Sequence, residues 1–306
     1  MIYEIEQKLN KITYAWNSLI IPYQFCRKEI KYEEQELTNY IVGISGYLHD
    51  TFEIILETRK CNGFVEMFSN HISFLQAIFI QQELVLELLG LFNLDNKRKS
   101  FENVENYSLN RNLRNELIGH PISRDKDKNK ELTSVTMISY EQKYDAVDYL
   151  RYHRKKCFNG EIITASISEI RNRHLEFLND NFDKIINKTN EILQQHVEVL
   201  DVLLANLSTY DFQKLLIELS NYFEPIYSYT NPFELEIITE IYSKKSEHLR
   251  YSNMIDNFLH KVNFSLIEGK NNAISFIKKS EYLPVNTNEL VFNYNDLVHD
   301  KNYIAI

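Results

Sequence analysis

The sequence predicts a mainly α-helical protein. Glycine and proline account for only 7 and 5 of its 306 residues, about a third of the roughly 12% expected of an average protein. A chain with so few turn-forming residues is unsuited to a β-sandwich or a β-propeller. Because 44% of the residues are hydrophobic, the chain can bury a sizeable core, which excludes general disorder.

Apolar residues spaced three and four positions apart predict four helices in the first 120 residues. These helices run to about Pro22, then over residues 34–56, 63–93 and 103–118. We expect Phe64 and Phe68 on the inner side of the third helix. The fourth carries an inner stripe of Leu109, Leu113 and Leu117 at i, i+4 and i+8.

Residues 133–165 have a different pattern. Val135 and Met137 alternate with polar residues, and Asn159-Gly160 is a hairpin signal. We therefore predict a small β insertion of two or three short strands between helices.

A long helix is predicted from Glu169 to Asn206. Ser166 and Glu169 form a capping box at its start, and about 40 helical residues make a rod of about 60 Å. Its apolar positions form a continuous seam, which predicts contact with a second domain or a second copy of the chain.

The rest of the chain is again predicted to be helical. One helix ends near Phe223, further helices reach about Leu283, and the tail from Pro284 is expected to be extended. We predict a helical domain with a β insertion over residues 1–207, and a C-terminal helical accessory region over 208–306.

Charge and cysteine content predict a soluble cytoplasmic protein without a disulfide framework. The net charge is −9, and the 3 cysteines are far apart. Polar and acidic residues interrupt the most apolar stretch, residues 72–92, and the N-terminus is too acidic for a signal peptide. We therefore expect no membrane association.

Common catalytic motifs are missing from the sequence. It contains no Walker loop, GxGxxG, HExxH, GxSxG or paired CxxC, which excludes the usual nucleotide, zinc-protease and serine-hydrolase sites. The sequence offers no carboxylate cluster or cysteine spacing for a metal, so we predict neither a metal nor a cofactor.

The segment NRNLRNELIGHPISRD, residues 110–125, carries the candidate chemistry. Arginine can hold a phosphoryl group as negative charge develops. Histidine can move the proton of a 2′-hydroxyl or of a leaving 5′-oxygen. Arg114 and His120 therefore have the residue types that metal-free RNA cleavage needs.

The context places His120 at the exit from a helix. We expect Gly119 to end the helix as the residue after its C-cap, and Pro121 to exclude His120 from helical geometry. The alternative is a helix C-terminus whose dipole is complemented by Arg114 and His120 without any catalytic role.

The string RNELIGHP at residues 114–121, between long helices and followed by strands and one long helix, resembles the Arg-x4–6-His motif of HEPN-domain proteins of the "RN…GHP" type. The resemblance covers about residues 35–206. It implies a HEPN-like all-α bundle that dimerises, with two motifs meeting in one metal-independent ribonuclease site. Ile122 stands where some members of the family have a tyrosine.

The resemblance also implies residue roles. Arg114 would be the motif arginine, Asn115 the polar residue that follows it and His120 the motif histidine. Toxin–antitoxin, abortive-infection or CRISPR systems are the usual setting of the family, which implies a toxin or phage-defence effector and a possible antitoxin or defence partner protein.

Positive charge is concentrated around this motif. Residues 97–174 hold 16 Lys and Arg against 11 Asp and Glu, although the whole chain is acidic. This favours an RNA-binding surface, and the alternative is an ordinary solvated loop and hairpin. The candidate RNA-binding residues are Arg111, Arg124, Lys126, Lys128, Arg151, Arg154 and Lys155.

Two functions are therefore expected. The first is an endoribonuclease that leaves a 2′,3′-cyclic phosphate and a 5′-hydroxyl, acting as a homodimer. The alternative is a non-catalytic HEPN-like module that binds RNA or protein.

Overall fold

The structure, a computed structural model, describes residues 2–20, 23, 26, 28–31, 40–57, 63–123, 133–138, 145–153, 160–209, 211–223 and 235–278. About 78% of the described residues are helical, so the predicted mainly α fold class is confirmed. The predicted extended tail from Pro284 lies outside the described residues.

Helices precede and follow one small sheet. The first helices are α1 (Ile2–Ala15, continued by a π-helical turn Trp16–Ile20), α2 (Tyr40–Leu56), α3 (Phe64–Leu91), α4 (Arg98–Phe101) and α5 (Glu105–Arg114). The strands are β1 (Ile122–Ser123), β2 (Thr133–Met137), β3 (Ala146–His153) and β4 (Gly160–Ser166). The remaining helices are α6 (Ile167–Asn206), α7 (Phe212–Phe223), α8 (Leu235–Ser243) and α9 (Leu249–Lys278).

The β insertion is larger than expected. The four strands form an antiparallel sheet in the order β1-β2-β3-β4, and β1 lies before the predicted region. The alternation at Val135 and Met137 gave the correct position for β2, and β4 begins at Gly160 of the predicted hairpin signal. β1 has only two residues, Ile122 and Ser123, too few to produce a period-2 pattern.

The chain divides into two compact units. The first comprises Met1–Glu6, Val42–Gly90 and Leu94–Asp183, and the second comprises Gln7–Ile41, Leu91–Asn93 and Lys184–Ile306. The boundary expected at residue 207 stays a prediction.

In the first unit, one face of the sheet packs on helices. Val135, Val147 and Tyr149 of the sheet join Phe74 and Ile78 of α3 in one buried cluster. Leu117, two residues before Gly119, is buried in the same cluster. This packing anchors the candidate motif segment to the core of the first unit.

In the second unit, apolar residues of α6, α7 and α9 form a buried cluster. Its members are Leu200, Leu203, Leu215, Leu219, Val262 and Leu266. This cluster covers the C-terminal end of the α6 seam.

The long helix α6 is confirmed, and so is the N-cap half of its capping box, since the Glu169 N–H donates to Ser166 Oγ at 3.4 Å. The predicted contact of its seam with a second domain or a second copy of the chain stays a prediction. Seam residues such as Phe182, Ile185 and Ile192 are buried within this one chain, so the seam alone does not require a second copy.

Three apolar positions were assigned to the wrong face. Phe64 is 45% exposed and Phe68 is 37% exposed at the start of α3, and Leu109 of α5 is 43% exposed. The inner face of α5 instead carries the buried Tyr107 and Asn110. The apolar spacing in these helices is compatible with more than one buried face, and the contacts with other helices decide which face is buried.

Among the described residues, α3 is the one helix long and apolar enough to cross a membrane. Buried core helices meet the same criteria, and 56% of its most apolar stretch is buried. Its polar Gln81 is also buried, donating to Leu48 O at 3.0 Å and Thr51 Oγ1 at 2.8 Å. Cytoplasmic localisation stays a prediction.

Candidate functional site

The motif segment leaves α5 through a wider helical turn. Residues Asn115–Gly119 are π-helical, and the His120 N–H donates to Asn115 O at 2.6 Å. His120 itself has φ −141° and ψ 64°, so its expected exclusion from helical geometry before Pro121 is confirmed. The expectation that Gly119 follows the C-cap is wrong, because His120 is the C-cap residue and no described glycine has the positive φ typical of the position after it.

The sheet holds β1, the strand that directly follows the motif, in place. The Val135 N–H donates to Pro121 O at 2.8 Å, and Ile122 pairs with Ser134. The backbone around His120 is therefore fixed on one side by the π-helical turn and on the other by β2.

The Arg114 guanidinium is held by three neighbours. Nε and Nη2 donate to Gln76 Oε1 at 3.2 and 3.0 Å, and Nη1 donates to Asn115 Oδ1 at 3.1 Å. Its Cζ lies 4.1 Å from the centre of the Phe79 ring. Three of the five guanidinium N–H groups are thus engaged, which leaves two on the terminal nitrogens.

Gly119 leaves room for this guanidinium. A Cβ atom at position 119 would lie 2.9 Å from Arg114 Nη1 and 3.5 Å from Asn115 Oδ1. Ordinary van der Waals contact begins at 3.4 Å. Glycine therefore permits this close approach, and alanine here would require the arginine side chain to shift.

The charge of Arg114 is not neutralised by a carboxylate in the described part of the chain. Other arginines of this region do have a carboxylate partner. Arg98 and Arg111 both pair with Glu83, and Arg151 pairs with Glu116. Burial, followed by the nearby positive charge of Arg111, lowers the pKa of Arg114. The nearby charge of Glu83 opposes this lowering of the pKa of Arg114. A partly desolvated cation that has no ion-pair contact of its own favours binding of an anion.

His120 is exposed, and its side chain has no hydrogen bond to any residue that the structure describes. It is therefore available to a ligand bound at Arg114. An imidazole in this position can accept or donate a proton.

Glu116 ties the motif segment to the sheet. It accepts hydrogen bonds from Arg151 Nε and from Arg151 Nη2, the latter at 2.7 Å. Burial of Tyr149 beside this pair raises the pKa of its phenol. The two carboxylate oxygens bind one guanidinium, a geometry that restricts rotation on both sides.

The structure places the predicted site residues in two groups. Arg114, Asn115, His120 and Arg111 share the α5 segment, although the Arg111 guanidinium is engaged with Glu83. Arg151 lies on β3 and is engaged with Glu116. The remaining candidates, Arg124, Lys126, Lys128, Arg154 and Lys155, lie outside the described residues.

Sequence reasoning missed the residues on α3. Gln76, Phe79 and Glu83 are three and four positions apart, which places them on one helical face. Polar residues at this spacing within an apolar helix are a signal for a polar contact, but they do not show which helix supplies the partner.

Within the described residues, no group of three His, Cys, Asp or Glu side chains is arranged to hold a metal ion. No family model, curated protein or solved structure matches the chain.

Proposed function

We propose that this protein is an endoribonuclease of the HEPN type that cleaves RNA without a metal ion. The observation that carries the proposal is the half-buried, preorganised Arg114 guanidinium, which lacks a carboxylate partner among the described residues and has two free N–H groups. A phosphodiester offers the paired anionic oxygens that such a group binds.

In the proposed reaction, the 2′-oxygen of the RNA attacks the adjacent phosphorus and the bond to the 5′-oxygen breaks. One proton leaves the 2′-hydroxyl and one reaches the 5′-oxygen, giving a 2′,3′-cyclic phosphate and a 5′-hydroxyl. His120 carries a proton in this exchange. Arg114 binds the phosphoryl oxygens as their charge grows, and Asn115 orients Arg114 through its amide oxygen.

The proposed active form is a homodimer. The reaction needs two proton transfers, whereas the described site of one chain offers the single histidine His120. A second His120 from a symmetry mate would complete the site. A toxin or phage-defence role, with an antitoxin or defence protein as partner, is proposed on the resemblance alone.

A second candidate is an RNA- or protein-binding module without catalysis. The observation of a single histidine in the described site favours it, because Arg114 can bind a phosphate whether or not a proton is transferred. The protein would then bind RNA without changing it.

Total RNA incubated with the purified protein in EDTA separates the two. Cleavage by the wild-type protein, lost in both Arg114→Ala and His120→Ala, supports the nuclease. RNA binding without cleavage in any metal-free condition supports the binding module.

A further inference from the structure

One face of α3 lies along the arginines of α4 and α5. Glu83 pairs with Arg98 and Arg111. The centre of the Phe79 ring lies 4.6 Å from Arg111 Cζ and 4.1 Å from Arg114 Cζ. Gln76 completes the face by accepting from Arg114. Each residue of the face thus contacts an arginine guanidinium.

The residue types on this face have different electrostatic effects. Glu83 pairs with two arginines and offsets one of their two positive charges. Gln76 supplies a neutral amide oxygen, which fixes Arg114 by two N–H groups without cancelling its charge. The Phe79 ring supplies a cation–π contact, which also leaves the net charge in place.

We infer that Gln76 and Phe79 are positioning residues that hold Arg114 charged and ready for a phosphodiester. The inference rests on the proposed nuclease function. Without these contacts, the flexible arginine would have to be ordered during each reaction, whereas a preorganised donor avoids that loss in the transition state.

Two substitutions of Gln76 test separately whether it positions Arg114 and whether its neutrality preserves the charge of Arg114. Gln76→Ala keeps the charge of Arg114 and removes its anchor, so kcat should fall about 10- to 100-fold with a smaller change in KM. Gln76→Glu keeps an acceptor in place but neutralises Arg114, so the protein should bind RNA more weakly.

The salt dependence of binding to a single-stranded RNA oligonucleotide gives a second readout. Each variant is measured in the His120→Ala background, so that the RNA stays intact. Loss of one phosphate contact changes the slope of log K against log salt by about 0.7. We expect this change in Gln76→Glu and an unchanged slope in Gln76→Ala.

Phe79 is tested with a conservative pair. Phe79→Leu should lower kcat because it removes the aromatic ring. Phe79→Tyr keeps the ring and should have a kcat close to that of the wild type. Phe68→Leu, on the exposed start of the same helix, is the matched control and should cleave like the wild type. Gln195→Ala, an exposed glutamine of α6, is the control for Gln76→Ala.

Wild-type kcat in folded Gln76→Ala and Phe79→Leu would overturn the inference. An equal loss in Phe79→Tyr and Phe79→Leu would overturn the role of the ring. Failure of the nuclease proposal gives a different result, since Arg114→Ala would then cleave like the wild type or the wild type would not cleave at all.

Discussion

Gly119→Ala should separate activity from stability. The added methyl group would lie 2.9 Å from Arg114 Nη1, whereas ordinary contact begins at 3.4 Å. The guanidinium must therefore move by at least about 0.5 Å, against its hydrogen bonds to Gln76 and Asn115. Because a displacement of 1 Å can cost about 100-fold in rate, we expect kcat to fall about tenfold.

The same substitution should not destabilise the fold. Gly119 does not have a positive φ, so alanine can adopt its backbone conformation. In a helical segment, alanine is favoured over glycine by about 0.5–1 kcal/mol. We therefore expect the free energy of unfolding of Gly119→Ala to equal or exceed that of the wild type.

The assay combines single-turnover cleavage of labelled RNA with urea unfolding. Gly43→Ala in α2 is the matched control, because its added methyl group meets no atom within 4 Å. It should gain similar stability and keep the wild-type rate. A folded Gly119→Ala protein that cleaves RNA at the wild-type rate would refute the role of this close approach.

Three further predictions follow from the same contacts. Arg151→Ala should lower the free energy of unfolding by about 1–2 kcal/mol, since the pair with Glu116 is only about a quarter exposed; an unchanged urea midpoint would contradict this. Burial lowers the pKa of His174 and of His196 to about 3, so the unfolded chain binds more protons between about pH 3 and 6.5. The contribution of these histidines to the free energy of unfolding should therefore be greatest above pH 6.5 and fall as the pH decreases, by up to about 1.4 kcal/mol per pH unit for each histidine. Equal free energies of unfolding at pH 7 and pH 5 would contradict this prediction. Light scattering should give twice the 36.5 kDa chain mass, and a fully active monomer would exclude the shared site.

Local signals predicted the elements around the site well. The capping box at Ser166 marked the start of α6, and Pro121 predicted the non-helical backbone of His120. These features depend on residues close together in sequence, where backbone sterics and short hydrogen bonds decide the outcome.

Contacts between distant residues could not be predicted in this way. Arg114 meets Gln76 across 38 positions, and no local pattern identifies that partner. The π-helical turn at Asn115–Gly119 also gave no sequence signal. The α6 seam shows the same limit, because periodicity indicates a buried face and leaves open which part of which chain covers it.

Cleavage of RNA in EDTA by the wild type, Arg114→Ala and His120→Ala tests the central claim most directly. We predict that the wild type cuts RNA, spares DNA of the same sequence and leaves 2′,3′-cyclic phosphate ends. Each substitution should lower the rate by about 100-fold or more with unchanged unfolding midpoints. Wild-type cleavage by either folded variant, or a strict requirement for a divalent metal, would contradict the account.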